Sequence, residues 1–273
     1  MIIGQYIEKA INWMTVNFSG FFDAVNAGMS SVIQVIESFW LWLPFYVTIA
    51  LFTGLAYWKA GRGNAILTLV GLLFIYFAGF WDETMQTFAL VLASALIALL
   101  IGIPLGIWSA ESETAERIIR PILDFMQTMP AFVYLIPAVL FFGLGTVPGA
   151  FATIIFAMPP VVRLTSLGIK QVPGEIVEAT RAFGATSRQL LFKVQLPLAM
   201  PTILAGVNQT IMMALSMVVI ASMIGAKGLG EIVLQGISQL RIGLGFESGL
   251  AVVLLAIILD RITQNLGKSN TNR

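Results

Sequence analysis

The chain has 273 residues, of which 58% are hydrophobic and only 11% charged. A soluble domain carries roughly 25% charged residues, so this composition excludes an ordinary water-soluble fold. A net charge of +1 gives no footprint for a nucleic-acid partner, and the lack of any cysteine or histidine removes disulfides, thiol chemistry, the commonest general base and the commonest metal ligand.

Residues 1–38 form a moderately apolar N-terminal segment. Ile3, Ile7, Ile11 and Met14 recur at helical spacing, with Gln5, Glu8, Lys9 and Asn12 opposite. This predicts an amphipathic helix in the membrane interface. A helix packed on the rest of the protein would give the same pattern. Asn17 to Gly20 is expected to break it, before a weaker amphipathic piece over 21–38. The segment lacks the basic start and long apolar core of a cleavable signal peptide.

A membrane span needs about 20 apolar residues. Seven stretches approach that length: 39–58, 64–81, 85–108, 129–145, 150–169, 198–224 and 248–266. The first two are read as accessory helices of a region 39–84, and the rest as a core, 85–266, with a polar tail over 267–273. Glu111 to Asp124 reads as a polar loop with a short helix. The fifth stretch is expected to be interrupted at Pro159-Pro160, which frees backbone carbonyls at membrane depth. Residues 225–247 are glycine-rich, with a short amphipathic helix carrying Leu229, Ile232, Val233 and Ile237.

Seven spans put the termini on opposite sides. With the N-terminus outside, twelve of the fifteen lysines and arginines fall at or near the cytoplasmic side. The positive-inside rule therefore predicts an N-out, C-in topology. The six tryptophans lie mostly near span ends, as an aromatic belt would; a cage for a quaternary ammonium needs several rings converging on one cation.

The longest polar interruption of the second half is Pro173–Pro197. Pro173 suits a first helical position, Glu175 and Glu178 suit a helix N-terminus, and Ile176, Ala179, Thr180 and Phe183 share one face. Gly184 suits a left-handed stop, and Thr186 to Gln189 reads as a capping box opening a second helix. A helix–turn–helix with an apolar knob is predicted, on the cytoplasmic side. Spacing alone also fits an ordinary polar loop.

No phosphate loop is present: Gly225-Ala226-Lys227-Gly228-Leu229-Gly230 lacks the Lys-Ser/Thr ending that opens a helix. Energy from ATP would have to arrive through another chain. Asp260 and Arg163, the charges inside the core spans, lie toward predicted cytoplasmic ends, where a charge can snorkel. Ion coupling is therefore weakly supported. Asn208, Gln209, Thr210 and Ser216 in the sixth span read either as interhelical glue or as pathway lining. Gly102-Ile103-Pro104-Leu105-Gly106 reads as a close backbone approach, and Met126, Met158, Met212 and Met217 as adaptable packing. Met158, Pro159, Pro160, Asn208 and Ser216 are the candidate pathway residues.

Glu178-Ala179, Gly184 and, nine residues on, Val194-Gln195-Leu196-Pro197 resemble the EAA signature of ABC-importer permeases, with valine in place of the usual isoleucine. The run from Pro121 to Pro137, which includes Asp124-Phe125-Met126-Gln127-Thr128-Met129-Pro130, resembles the betaine-type osmoprotectant permeases. So does Met158-Pro159-Pro160-Val161-Val162-Arg163. The similarity covers about 85–266 and is to the glycine betaine/proline betaine branch, OpuA-type systems above all. The first 84 residues resemble that family only in general plan.

The resemblance implies an all-α polytopic membrane protein with a type I ABC-importer permease core, in a bacterial cell membrane. It implies a non-catalytic subunit with no cofactor of its own, ATP and Mg being bound by a partner ATPase in two copies. It also implies a homodimer of this chain, surrounding lipid, and an external binding protein delivering a betaine. Glu178, Arg181 and Phe183 would then face the ATPase, Ala179 and Gly184 would permit close approach, and Leu196-Pro197 would anchor the loop. The alternatives are a permease for another small solute such as methionine, a secondary transporter, and a non-transport scaffold. A five-span plan would favour methionine; scarce intramembrane acids count against ion coupling, and Gly- and Pro-rich spans against a scaffold.

Overall fold

The computed structural model describes residues 2–266, and every regular element among them is helical. The expected tail, 267–273, lies outside the described residues. Helix α1 (Ile2–Asn17) leaves Trp13 and Val16 exposed, as an interfacial helix would; the side chains of Ile3 and Ile7 are outside those described. The expected break at 17–20 shrinks to the single residue Phe18, and α2 (Ser19–Trp42) runs past the expected limit at 38. Phe22 stacks on Phe141, with ring centroids 4.8 Å apart, which ties this N-terminal region to the core.

Leu43-Pro44 then turns the chain by 101° into α3 (Phe45–Ala60), so the first apolar stretch begins six residues later than expected. Proline forces its predecessor out of the helical region, and Leu43 is extended. Gly61 connects α3 to α4 (Arg62–Phe77). These two helices are 16 residues each, about 24 Å at 1.5 Å per residue, against a hydrocarbon core of about 30 Å.

The core follows. Helix α5 (Trp81–Glu111) exceeds the expected 85–108 at both ends. Ser112 caps α6 (Glu113–Thr128) by accepting the Ala115 N–H. The expected polar loop is thus a 16-residue helix: Ala115, Ile119 and Leu123 are buried, while Ile118, Ile122 and Phe125 form a second, exposed apolar stripe. Met129-Pro130 turns the chain by 111° into a 3-10 turn (Ala131–Tyr134) and α7 (Leu135–Phe142). Next come α8 (Thr146–Lys170), α9 (Gly174–Ala182), α10 (Ser187–Leu190) and α11 (Leu196–Ala221). Helices α12 (Leu229–Ser238) and α13 (Ile242–Leu266) complete the chain.

By length and composition, four helical segments among the described residues can each cross a membrane: α5, α8, the run Ser187–Ile224 and α13. The count is six if each bent pair is one span; α4 occupies the remaining expected stretch but falls short.

Helix α8 lies between α5 and α11, and small residues set the spacing. A Cβ on Gly102 would stand 2.5 Å from Val161 Cγ1. One on Gly206 would stand 3.0 Å from Leu164 Cβ. Association of apolar helices without water to expel relies on such close packing. The expected interruption at Pro159-Pro160 does not occur: α8 is helical throughout, and both prolines are buried. Two missing N–H donors weaken the ladder, but packing of the helix on both neighbours holds it.

Candidate functional site

The helix–turn–helix over 173–197 forms nearly as its residues dictate. Pro173 is the residue before α9 rather than its first, with an extended ψ of 130°. Glu175 sits in the first turn and Arg181 in the last, each favourable to the helix dipole. Gly184 adopts φ 81°, and its N–H donates to Arg181 O at 2.9 Å. Ala185 N–H reaches back to Thr180 O at 3.3 Å, closing the C-terminal motif. Thr186 then makes a reciprocal capping box with Gln189: its N–H donates to Gln189 Oε1 at 2.9 Å, and its Oγ1 accepts the Gln189 N–H at 3.3 Å.

No residue of α9 is buried. Glu178, Ala179, Arg181, Phe183 and Gly184 are all exposed, Phe183 to 92%. A phenylalanine held out in water on a doubly capped turn loses the favourable burial its ring could have. The geometry is that of a rigid knob lacking an intramolecular socket.

The loop stands on a buried foot that sequence reasoning missed. Leu190 and Leu191 are 3% and 5% exposed. Leu191 packs with Ile169, Ala199 and Ile203, flanked by Ile107, Ala110 and Leu196. The foot therefore joins the ends of α5, α8 and α11. Leu191–Gln195 form one π turn, and Leu196 and Pro197 open α11, Leu196 half-buried and Pro197 exposed. The signal available in the sequence was the pair Leu190-Leu191 in an otherwise polar segment.

Arg163 and Lys170, near the end of α8, hold α6 against it. Arg163 Nη2 donates to Asp124 Oδ1, and Lys170 Nζ lies 2.6 Å from Glu116 Oε2. That lysine, by hydrogen bond and by charge, holds the Glu116 carboxyl below its ordinary value of 4.5.

The candidate pathway residues lie on α8 and α11. Met158 is half-buried and packs toward α6, beside Leu105 and Met126. Pro159 and Pro160 are enclosed. Asn208 ties α11 to α13: its Nδ2 donates to Asp260 Oδ1 at 3.2 Å, and its Oδ1 accepts from Thr263 Oγ1. Gln264 Nε2 also donates to Asp260 Oδ1, at 2.6 Å. Ser216 is exposed and bonds its own helix at Met212 O, 3.1 Å away.

The model of the family described as the binding-protein-dependent transport system inner membrane component matches residues 102–271. This chain belongs to that family. The permease is 52% identical over 271 residues, 99% of its length and 96% of the other's, to the glycine betaine transport system permease protein OpuAB of Bacillus subtilis. It is 51% identical over 99% of its length to the glycine betaine/proline betaine transport system permease protein ProW of Escherichia coli, covering 77% of that protein. Against the glycine betaine/carnitine transport permease protein GbuB of Listeria monocytogenes, identity is 50%, over 97% of this permease and 95% of that one. Two inward-facing crystal forms of the MetNI methionine ABC transporter share its fold. They superpose with TM-scores of 0.60 and 0.61 at 22% and 21% identity, over 66% and 72% of the permease and 91% and 96% of those chains. At that identity the likeness concerns the fold alone.

Proposed function

We propose that this permease translocates glycine betaine or a related compatible solute inward, powered by a separate ATPase in two copies and loaded by an external binding protein. The observation that carries the coupling half of this reading is Phe183. It is a fully presented aromatic on a turn fixed by Gly184 and the Thr186–Gln189 capping box. Such a knob suits a cleft on a partner, with Glu178 and Arg181 supplying charge beside it, Ala179 and Gly184 the close approach, and Leu196 and Pro197 the root. ATP binding would draw two such loops together in a homodimer and bias a two-state pathway. ATP and its Mg would stay on the partner, in keeping with a chain that carries no phosphate loop.

The solute half rests on full-length likeness to three permeases whose names carry glycine betaine. The methionine alternative has behind it only a shared fold. The chain would lie in the bacterial cytoplasmic membrane, N-terminus out and C-terminus in, with the 173–197 loop in the cytoplasm. Ser216, exposed on α11, is the foremost pathway candidate. Asn208, Met158, Pro159 and Pro160 would shape the pathway from behind.

The test is betaine-dependent ATP hydrolysis and uptake in proteoliposomes containing the permease, its ATPase and the binding protein. Gly184→Trp and Glu178→Lys should abolish both while the chain still inserts. Uptake by this chain alone down an ion gradient, indifferent to both changes, would replace the reading with a secondary transporter.

A further inference from the structure

A cleft of about 430 Å³ opens where the C-terminal ends of α5 and α8 meet α6. Its charged lining is unusual for a chain with so few charges. Arg120, Arg163 and Lys170 line it, with Glu116 as the sole lining carboxylate. Glu116 is engaged by Lys170, and Asp124, next to the cleft, by Arg163. Arg120 has no carboxylate within 4.0 Å among the described residues. Arg163, although paired with Asp124, keeps 40% of its side chain exposed. A guanidinium carries more N–H donors than one carboxylate oxygen uses, and an anionic oxygen is the group that suits them.

The rest of the lining is two serines, Ser109 and Ser166, and an apolar wall of Leu123, Val162, Leu164 and Leu167. A free inorganic anion gains nothing from that wall. A phosphate carrying a hydrocarbon body gains from both halves. The position fits as well. The cleft lies at the end of α8 that leads into the 173–197 loop, beside α6 with its exposed Ile118, Ile122 and Phe125. A helix of that pattern lies in the plane of an interface, at headgroup depth. Basic pockets between membrane helices at that depth take anionic headgroups.

We propose that this cleft binds the phosphodiester of an anionic phospholipid, with Arg120 and Arg163 as hydrogen-bonding forks and Lys170 adding charge. An arginine fork matches a phosphate in a way a lysine does not. The bound lipid would staple α6 to α8 alongside the two ion pairs. The proposal rests on the cleft and on the membrane setting, and not on which solute is carried.

The test counts lipids retained by the full-length permease in mild detergent, by native mass spectrometry, titrating phosphatidylglycerol against phosphatidylcholine. Wild type should retain phosphatidylglycerol preferentially. Arg120→Gln removes one unpaired charge and should weaken that retention roughly fivefold, and Arg120→Lys should recover part of it. In lipid-free detergent the melting temperature of each variant should equal that of wild type. Equal retention by wild type and Arg120→Gln, or phosphatidylcholine held as tightly as phosphatidylglycerol, would overturn the assignment. Displacement of the lipid by millimolar inorganic phosphate would also overturn it, reassigning the cleft to a free anion.

Discussion

Gly106 and Thr165 touch so closely that a Cβ on the glycine would stand 2.6 Å from Thr165 Cβ and 2.7 Å from Val162 O. Backbone cannot retreat as the end of a flexible side chain can. Gly106→Ala should therefore pry α5 from α8, with an overpacking cost of about 1–3 kcal/mol. A lowered melting temperature in detergent would register it. Gly54→Ala, inside α3 with nothing within 4 Å of the new Cβ, is the control that should not lower the temperature.

Phe183→Ala should separate stability from coupling. The ring is 92% exposed, so its loss should change stability by less than about 0.5 kcal/mol. Solute-stimulated ATP hydrolysis by the assembled transporter should nevertheless collapse. A variant that hydrolyses ATP and transports normally would remove Phe183 from the coupling surface.

Thr186→Ala should loosen the same loop from within. It deletes the acceptor for the Gln189 N–H, a loss of about 1 kcal/mol at a helix N-terminus. Faster amide exchange confined to about residues 184–191, with the membrane helices unaffected, is the expected signature.

Asn208→Ala would leave Asp260 with Gln264 as its remaining side-chain donor and Thr263 without its partner on α11. Losing a half-buried bond to a carboxylate costs about 1–3 kcal/mol. A structural tether predicts a lower melting temperature with the solute KM unchanged. A shift in KM at constant melting temperature would instead make Asn208 a pathway residue.

Acid should undo the Glu116–Lys170 pair. The Glu116 carboxyl titrates lower in the folded chain than its ordinary 4.5, so its stabilisation is present above about pH 4.5. It is lost as the pH falls through the lowered value. The difference in melting temperature between wild type and Glu116→Gln should be constant near neutrality and vanish in acid.

The local features of the loop were legible because they are written in near neighbours. Gly184 and the Thr186–Gln189 box each depend on residues within four positions, and both form as expected. The prolines misled for the opposite reason. At Pro159-Pro160 the local rule predicts a break, but packing against α5 and α11 decides the outcome. At Pro44 and Pro130 the local rule holds, and the chain turns sharply. Arg163 and Asp260 read as interfacial charges from sequence. Their partners, Asp124 and Asn208, are 39 and 52 residues away, beyond the reach of any local pattern.

From Ser187 to Ile224 the helix is continuous for 38 residues, including the π turn at its foot. At 1.5 Å per residue that is roughly 57 Å, nearly twice the thickness of the hydrocarbon core. The second arm of the exposed loop is therefore one end of a lever that passes through the membrane. Its fulcrum is the packed Leu191 foot. Displacing the tip to one side must tilt the far, much longer arm to the other, so a push at the loop need not be relayed through a chain of side chains to be felt across the bilayer.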